Sequence, residues 1–299
     1  MVINERASIL AELTPPFTIY RPSVQTSPFV FCSPHSGRVY PSALREASRL
    51  DPHTLRKSED CFVDLLFDWV PATGAPLIAA RFPRAYLDVN RDAAELDPEL
   101  FSDRLPAGAS SHSLRVAGGL GVIARVVADA EEIYRERLPI GVAVERISRL
   151  YRPFHSALAG LLSDTVAQFG FAVLIDCHSM PSASSAHHGT MRPDFVLGDR
   201  FGAAADGRIV RAARDSLSTL GYEVQLNRPY AGGYITEHYG RPQTGFHAVQ
   251  IEINRGLYLD EASLATTSGF NPLKAHLEVF GVRLMATVEA LLGRQLAAE

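Results

Sequence analysis

Cysteine is scarce. Three occur, Cys32, Cys61 and Cys177, an odd number without C-x-x-C spacing. A disulfide framework is not expected, and a reducing compartment is. No apolar run approaches the ~20 residues that a membrane-spanning helix needs. The opening residues, Met1-Val2-Ile3-Asn4-Glu5-Arg6, lack the basic-then-apolar order of a signal peptide. The expectation is a cytoplasmic protein without a membrane partner. A basic stripe is also missing. The formal net charge is −4 with lysine and arginine scattered, so nucleic acid is not an expected partner. There is no G-x-S-x-G elbow, which removes the usual signature of a serine hydrolase. A compact H-x-x-E metal pair is absent too, because the third residue after His35 is Arg38.

What is present is an ordinary globular balance, 46% hydrophobic and 21% charged over 299 residues. Strand patterns cover residues 29–33, 76–80, 85–89, 171–175, 194–197, 222–226 and 247–254, with a further one near 17–20. Helical patterns cover 42–49, 61–67, 145–169, 203–220 and 273–292, with Gly221 closing the fourth. Pro153 lies inside the 145–169 pattern and predicts a kink or two helices meeting there. Residues 92–120 show little periodicity and read as a long loop. The alternation predicts an α/β fold, a mixed and largely parallel central sheet flanked by helices, in one domain spanning 1–299.

Two apolar runs end in polar clusters. Phe171–Ile175 runs into Asp176-Cys177-His178-Ser179, and Phe29–Ser33 into Pro34-His35-Ser36-Gly37. The carboxyl ends of strands are where open α/β sheets bind ligands. A lone histidine is ordinarily a satisfied polar residue, but two in matching settings argue for a metal site. A catalytic zinc takes three ligands from His, Asp and Glu and keeps one open position. His35 and His178 are the first two ligands. Glu59 and Asp60 tie for the third, and either could equally serve the start of the helix that follows. Cys177 and His178 do not form a dyad, since neighbouring strand residues point to opposite faces.

Val249–Asn254 alternates apolar and polar residues and carries Glu252. That carboxylate reads either as a solvent-facing residue of an edge strand or as a general base beside a metal. Arg84, Asn90 and Arg91 form a second constellation, in which a guanidinium can grip a carboxylate or stabilise an oxyanion. Arg228, in the glycine-containing loop 227–234, is a weaker candidate of the same kind. His155 reads as paired with a buried carbonyl or carboxylate, and His187-His188 as part of a solvated loop.

Taken in series, these motifs resemble the N-formylglutamate amidohydrolase family. The matching pieces are Pro34-His35-Ser36-Gly37, Asp60, Arg84 with Asp88-Val89-Asn90-Arg91, and Tyr151-Arg152-Pro153-Phe154-His155. They continue with Asp176-Cys177-His178-Ser179, Gly232-Gly233-Tyr234-Ile235-Thr236, His238-Tyr239-Gly240 and His247–Glu252. The resemblance implies a fold like that of the zinc carboxypeptidases and hydrolysis of an N-acyl amino acid, N-formyl-L-glutamate above all, as in histidine degradation. It implies one Zn²⁺ per chain, held by His35, Asp60 and His178, with Asp60 taking the third place over Glu59. It further implies Arg84 on the oxyanion and Asn90 and Arg91 on the substrate α-carboxylate; the expected mechanism adds Glu252 as base and Arg228 on the side-chain carboxylate. The competing expectations are a deacylase for another N-acyl amino acid or small peptide, and a binding protein that kept the fold without catalysis.

Overall fold

The computed structural model describes residues 4–127, 130–182 and 193–296. His187 and His188 lie outside the described residues. Among the described residues, seven strands form one sheet: β1 (Phe17–Tyr20), β2 (Phe29–Ser33), β3 (Leu77–Ala80), β4 (Ala172–Met180), β5 (Phe195–Gly198), β6 (Val224–Leu226) and β7 (Phe246–Asn254). Their order is β1-β3-β2-β4-β7-β5-β6. The pairs β2–β4, β4–β7 and β5–β6 are parallel, whereas β5 meets β7 antiparallel. The sheet is therefore mixed and largely parallel, as the alternation of patterns predicts.

Contacts gather the chain into two compact units. One comprises Ile19–Ser33, Asp60–Ile78 and Leu158–Glu299. Its core is the apolar face of the sheet. Phe29, Phe31, Val173, Ile175, Val249 and Ile251 are buried together with Phe67 and Trp69 and with two helices. Those helices are Gly207–Thr219, which contributes Ile209, Val210, Ala213 and Leu217, and Phe270–Leu296, which contributes Leu277, Phe280, Leu284 and Val288. The other unit comprises Met1–Thr18, Pro34–Glu59 and Ala79–Ala157. Arg146 is buried among Glu5, Tyr86 and Tyr134.

Several expectations change. β4 does not stop at Ile175 but runs on to Met180, because Asp176, Cys177 and His178 stay in register with Gln250, Ile251 and Glu252 of β7. The polar cluster is thus part of the strand rather than a turn beyond it. Residues 85–89 are not a strand. Tyr86 and Leu87 donate back to the Pro83 carbonyl, and Asp88 Oδ1 accepts from the Asn90 amide at 2.8 Å. A side-chain oxygen that satisfies an amide two residues on favours a turn over a ladder.

Pro153 neither breaks nor splits the helical run. Ile147–Tyr151 forms a π-helical turn, with the Arg152 amide donating to Ile147, and the α-helix Arg152–Phe169 continues from it. Widening the bond pattern just ahead of the proline accommodates a residue that has no amide to donate. Gly221 lies in the left-handed region at φ 91° directly after the helix Gly207–Thr219, the closure expected of it. No helix among the described residues is long and apolar enough to cross a membrane.

Candidate metal centre and active site

The centre starts from β4. Alternation sends Ile175 and Cys177 into the apolar core and leaves Asp176 and His178 on the opposite face. His178 is buried, with Nδ1 3.0 Å from Asp60 Oδ2 and Nε2 3.0 Å from Asp176 Oδ1. Burial opposes charge on the imidazole, but Asp176, Asp60 and Glu252 outweigh it and raise its pKa well above the usual histidine value. The surroundings of His178 therefore favour a cation.

Asp60 precedes the short helix Val63–Leu66. Its Oδ1 accepts from Arg255 Nη2 at 3.2 Å and from Ser179 Oγ at 3.3 Å, and its Oδ2 lies against His178. Glu59 turns elsewhere. It accepts from Tyr40 Oη at 2.6 Å and Arg56 Nε at 3.1 Å. The geometry thus separates two carboxylates that spacing left tied.

His35 stands two residues beyond β2, whose Cys32 is in register with Asp176 of β4. Its turn lies directly on neighbouring backbone: a Cβ on Gly37 would fall 2.5 Å from the Phe82 carbonyl carbon, so only glycine fits. His35 Nε2 is 2.7 Å from Asp88 Oδ1, the carboxylate–imidazole pairing that orients metal-binding histidines. Ligand atoms of His35, Asp60 and His178 all lie within 4.8 Å of one another, and all three residues are buried.

Asp88 organises its own segment. Burial would raise its pKa, yet His35, Arg84 and Arg91 hold it well below the usual carboxylate value. Arg84 Nη2 donates to Asp88 Oδ2 at 2.8 Å. Arg91 donates through Nε to the Leu120 carbonyl and through Nη1 to the Asn90 carbonyl, and burial lowers its pKa. The segment is pinned by the helical run: Tyr151 Oη donates to the Arg91 carbonyl at 2.8 Å, and His155 Nε2 is 2.9 Å from the Val89 carbonyl oxygen. His155 is thus paired with a buried carbonyl, as read from its place in the helical stripe.

Glu252 is not on an edge. β7 lies between β4 and β5, and Glu252 has His178 as register partner on one side and Val196 on the other. It is 7% exposed and accepts from Gln250 Nε2 at 2.8 Å. Arg228 is exposed, and among the described residues no hydrogen bond or ion pair ties it to this cluster. Sequence reasoning gave no role to Asp88, Asp176, Gln250 or Arg255. The signal that could have found them was a polar residue set inside an apolar run, as Asp88 is between Leu87 and Val89 and Gln250 between Val249 and Ile251.

Residues 27–259 match the family model described as N-formylglutamate amidohydrolase. The N-formylglutamate deformylase of Pseudomonas putida is 30% identical over 237 residues, 78% of this chain and 82% of that protein. The deformylase of Pseudomonas aeruginosa is also 30% identical, over 238 residues, 78% of this chain and 83% of that protein. Among solved structures, an N-formylglutamate amidohydrolase from Ralstonia eutropha superposes with a TM-score of 0.86 at 33% identity, covering 93% of this chain and 99% of the other. A gene product of Agrobacterium tumefaciens shares the fold at a TM-score of 0.65 and 18% identity, over 92% of this chain and 96% of that one.

Proposed function

Because the chain belongs to the N-formylglutamate amidohydrolase family, we propose that it hydrolyses N-formyl-L-glutamate to formate and L-glutamate at a metal centre made by His35, Asp60 and His178. The observation that carries this reading is the convergence of those three buried ligands, with Glu252 the register partner of His178. The site residues act within a single catalytic domain. Three buried cysteines outside any disulfide among the described residues support a reducing cytoplasm, and the substrate suits a step of histidine degradation.

The donor set fits zinc. Two imidazoles and one carboxylate make the three-ligand set of catalytic zinc sites, and Asp88 beside His35 and Arg255 beside Asp60 orient two of the three. When bound, the metal supplies Lewis acidity toward the acyl oxygen and toward water.

The rest falls to side chains. Glu252 accepts a proton from the attacking water as its oxygen adds to the formyl carbon. The same carboxylate returns that proton to the glutamate nitrogen as the C–N bond breaks. Arg84, fixed by Asp88, faces the charge that develops on the acyl oxygen. Asn90 and Arg91 take the α-carboxylate, in a segment that Tyr151 and His155 hold by its backbone. Arg228, exposed in its loop, is left for the side-chain carboxylate of the substrate.

The test pairs two variants. Glu252→Gln should abolish turnover and keep the metal, whereas His178→Ala should lose about one zinc per chain by elemental analysis. Wild-type turnover in Glu252→Gln would remove the base assignment. A panel of formyl-, acetyl- and succinyl-amino acids identifies the acyl group, and preference for another acyl group would replace the substrate named here.

A further inference from the structure

Gln250 lies two residues before Glu252 on the same face of β7 and is 4% exposed. Both ends of its amide are used. Oε1 accepts from the Gly233 amide at 2.7 Å, and Nε2 donates to Glu252 Oε1 at 2.8 Å. The orientation is not arbitrary. A backbone N–H can only donate, so the amide oxygen must face Gly233, and the NH₂ is thereby committed to Glu252. An ionised carboxylate can only accept, so the arrangement matches the form of Glu252 that takes a proton.

The Gly233 end of this clip stands on fixed ground. Gly198 of β5 is the register partner of Gln250. A Cβ at Gly198 would lie 2.6 Å from both the Ala231 carbonyl carbon and the Gly232 nitrogen, so the loop rests on the strand itself. Gly232 turns there at φ 111°, in the left-handed region that favours glycine. Asn227 Oδ1, at the start of the same loop, accepts from the Asp199 amide at 3.0 Å. Four residues after Gly232, Thr236 Oγ1 donates to Asp176 Oδ2 at 3.4 Å. The glycine pair, which by sequence is merely permissive, thus has a specific role in presenting one amide to Gln250.

We infer that Gln250 is a positioning residue, a two-ended clip that ties Glu252 Oε1 to the Gly232-Gly233 loop and so fixes where the carboxylate points. The inference rests on Glu252 being the base and goes beyond it by naming what aims it. A carboxylate held at one oxygen loses a rotational freedom that it would otherwise have to give up at the transition state. A displacement of about 1 Å in a catalytic group costs on the order of 100-fold in rate.

The experiment compares Gln250→Leu, Gln250→Met, Glu252→Gln and the double variant Gln250→Leu/Glu252→Gln in the metal-loaded enzyme. Gln250→Leu removes both bonds. Gln250→Met keeps the length of the side chain, has no donor for Glu252 and adds no charge beside it, and so covers the case in which the leucine variant does not fold. The expected result is a kcat lower by roughly 10- to 100-fold in both, with KM for N-formyl-L-glutamate within about twofold and metal content unchanged. In the double variant, Gln250→Leu should cost nothing further, because its target is gone. Unchanged kcat in Gln250→Met, or kcat, KM and metal content falling together in the folded variants, would overturn the inference. So would full additivity in the double variant. If Glu252→Gln itself kept wild-type turnover, the base assignment would fail first, a result distinct from an inactive Glu252→Gln beside a fully active Gln250 variant.

Discussion

Replacing Arg146 with methionine should destabilise the protein by about 3–5 kcal/mol, the usual cost of removing one partner from a buried ion pair. Arg146 ends the helix Ile140–Arg146 and is 1% exposed. Its Nε donates to Glu5 Oε1 at 2.6 Å, and its Nη1 donates to the Tyr86 carbonyl at 2.9 Å and to Tyr134 Oη at 2.8 Å. The guanidinium lies 3.8 Å from the centre of the Tyr86 ring. Tyr86 also donates its hydroxyl to Glu5. Burial opposes the charge on Arg146, yet Tyr134, Glu5 and Tyr86 raise its pKa above the ordinary arginine value, so the ion pair is kept. Methionine fills much of the volume but leaves the Glu5 carboxylate without its cation and the Tyr86 carbonyl without its donor. Against a total stability of about 5–15 kcal/mol, that loss is large. Urea denaturation followed by circular dichroism measures it. Adding Glu5→Leu should recover most of the loss, because a neutral pair no longer buries an uncompensated charge. A single variant costing less than about 1 kcal/mol, or a double variant no more stable than the single, would refute the reasoning.

Two further predictions concern the proposed metal ligands. In the metal-free chain, His178 has its pKa raised well above the unfolded value of about 6.5. Its contribution to stability is therefore full below about pH 6.5 and is lost as pH rises through the folded pKa. Melting midpoints of metal-free protein should fall on the alkaline side, and His178→Asn should flatten that dependence. Asp60→Asn should cost metal affinity by 10-fold or more, whereas Glu59→Gln should leave it within about twofold, since Glu59 is held by Tyr40 and Arg56. Competition titration with a chromogenic chelator distinguishes the two, and equal losses would remove the distinction between these carboxylates.

The strands were legible where burial and alternation agreed. Phe29–Ser33 and Phe195–Gly198 fall within a residue of their expected bounds because apolar β-formers fill them and turn residues flank them. Legibility failed where a polar side chain changed what the backbone does. Asp88 turns an apolar stretch into a bend, and Asp176 and His178 look like the end of a strand that in fact continues, because their partners come from β7. The choice between Glu59 and Asp60 was not in the spacing. It rests on His178, Ser179 and Arg255, more than 100 residues away in the chain, and only the family resemblance carried that information. Glu252 had two readings because alternation does not say whether a strand is central or at an edge. Gln250 was passed over because an amide in a strand has no chemistry until its neighbours are known.

The three cysteines offer a use beyond packing. Each lies beside a proposed metal ligand or a partner of one: Cys61 follows Asp60, Cys177 precedes His178, and Cys32 is in register with Asp176, which contacts His178. All three are buried and outside any disulfide among the described residues, and burial pushes the Cys32 and Cys177 thiols well up from their ordinary value. The thiolate is what reacts with alkylating reagents, so each thiol stays silent until its backbone opens. Alkylation kinetics therefore time the breathing of the centre with no substrate present. Mass spectrometry of the three labelled peptides orders the release of β2, the residue-60 turn and β4.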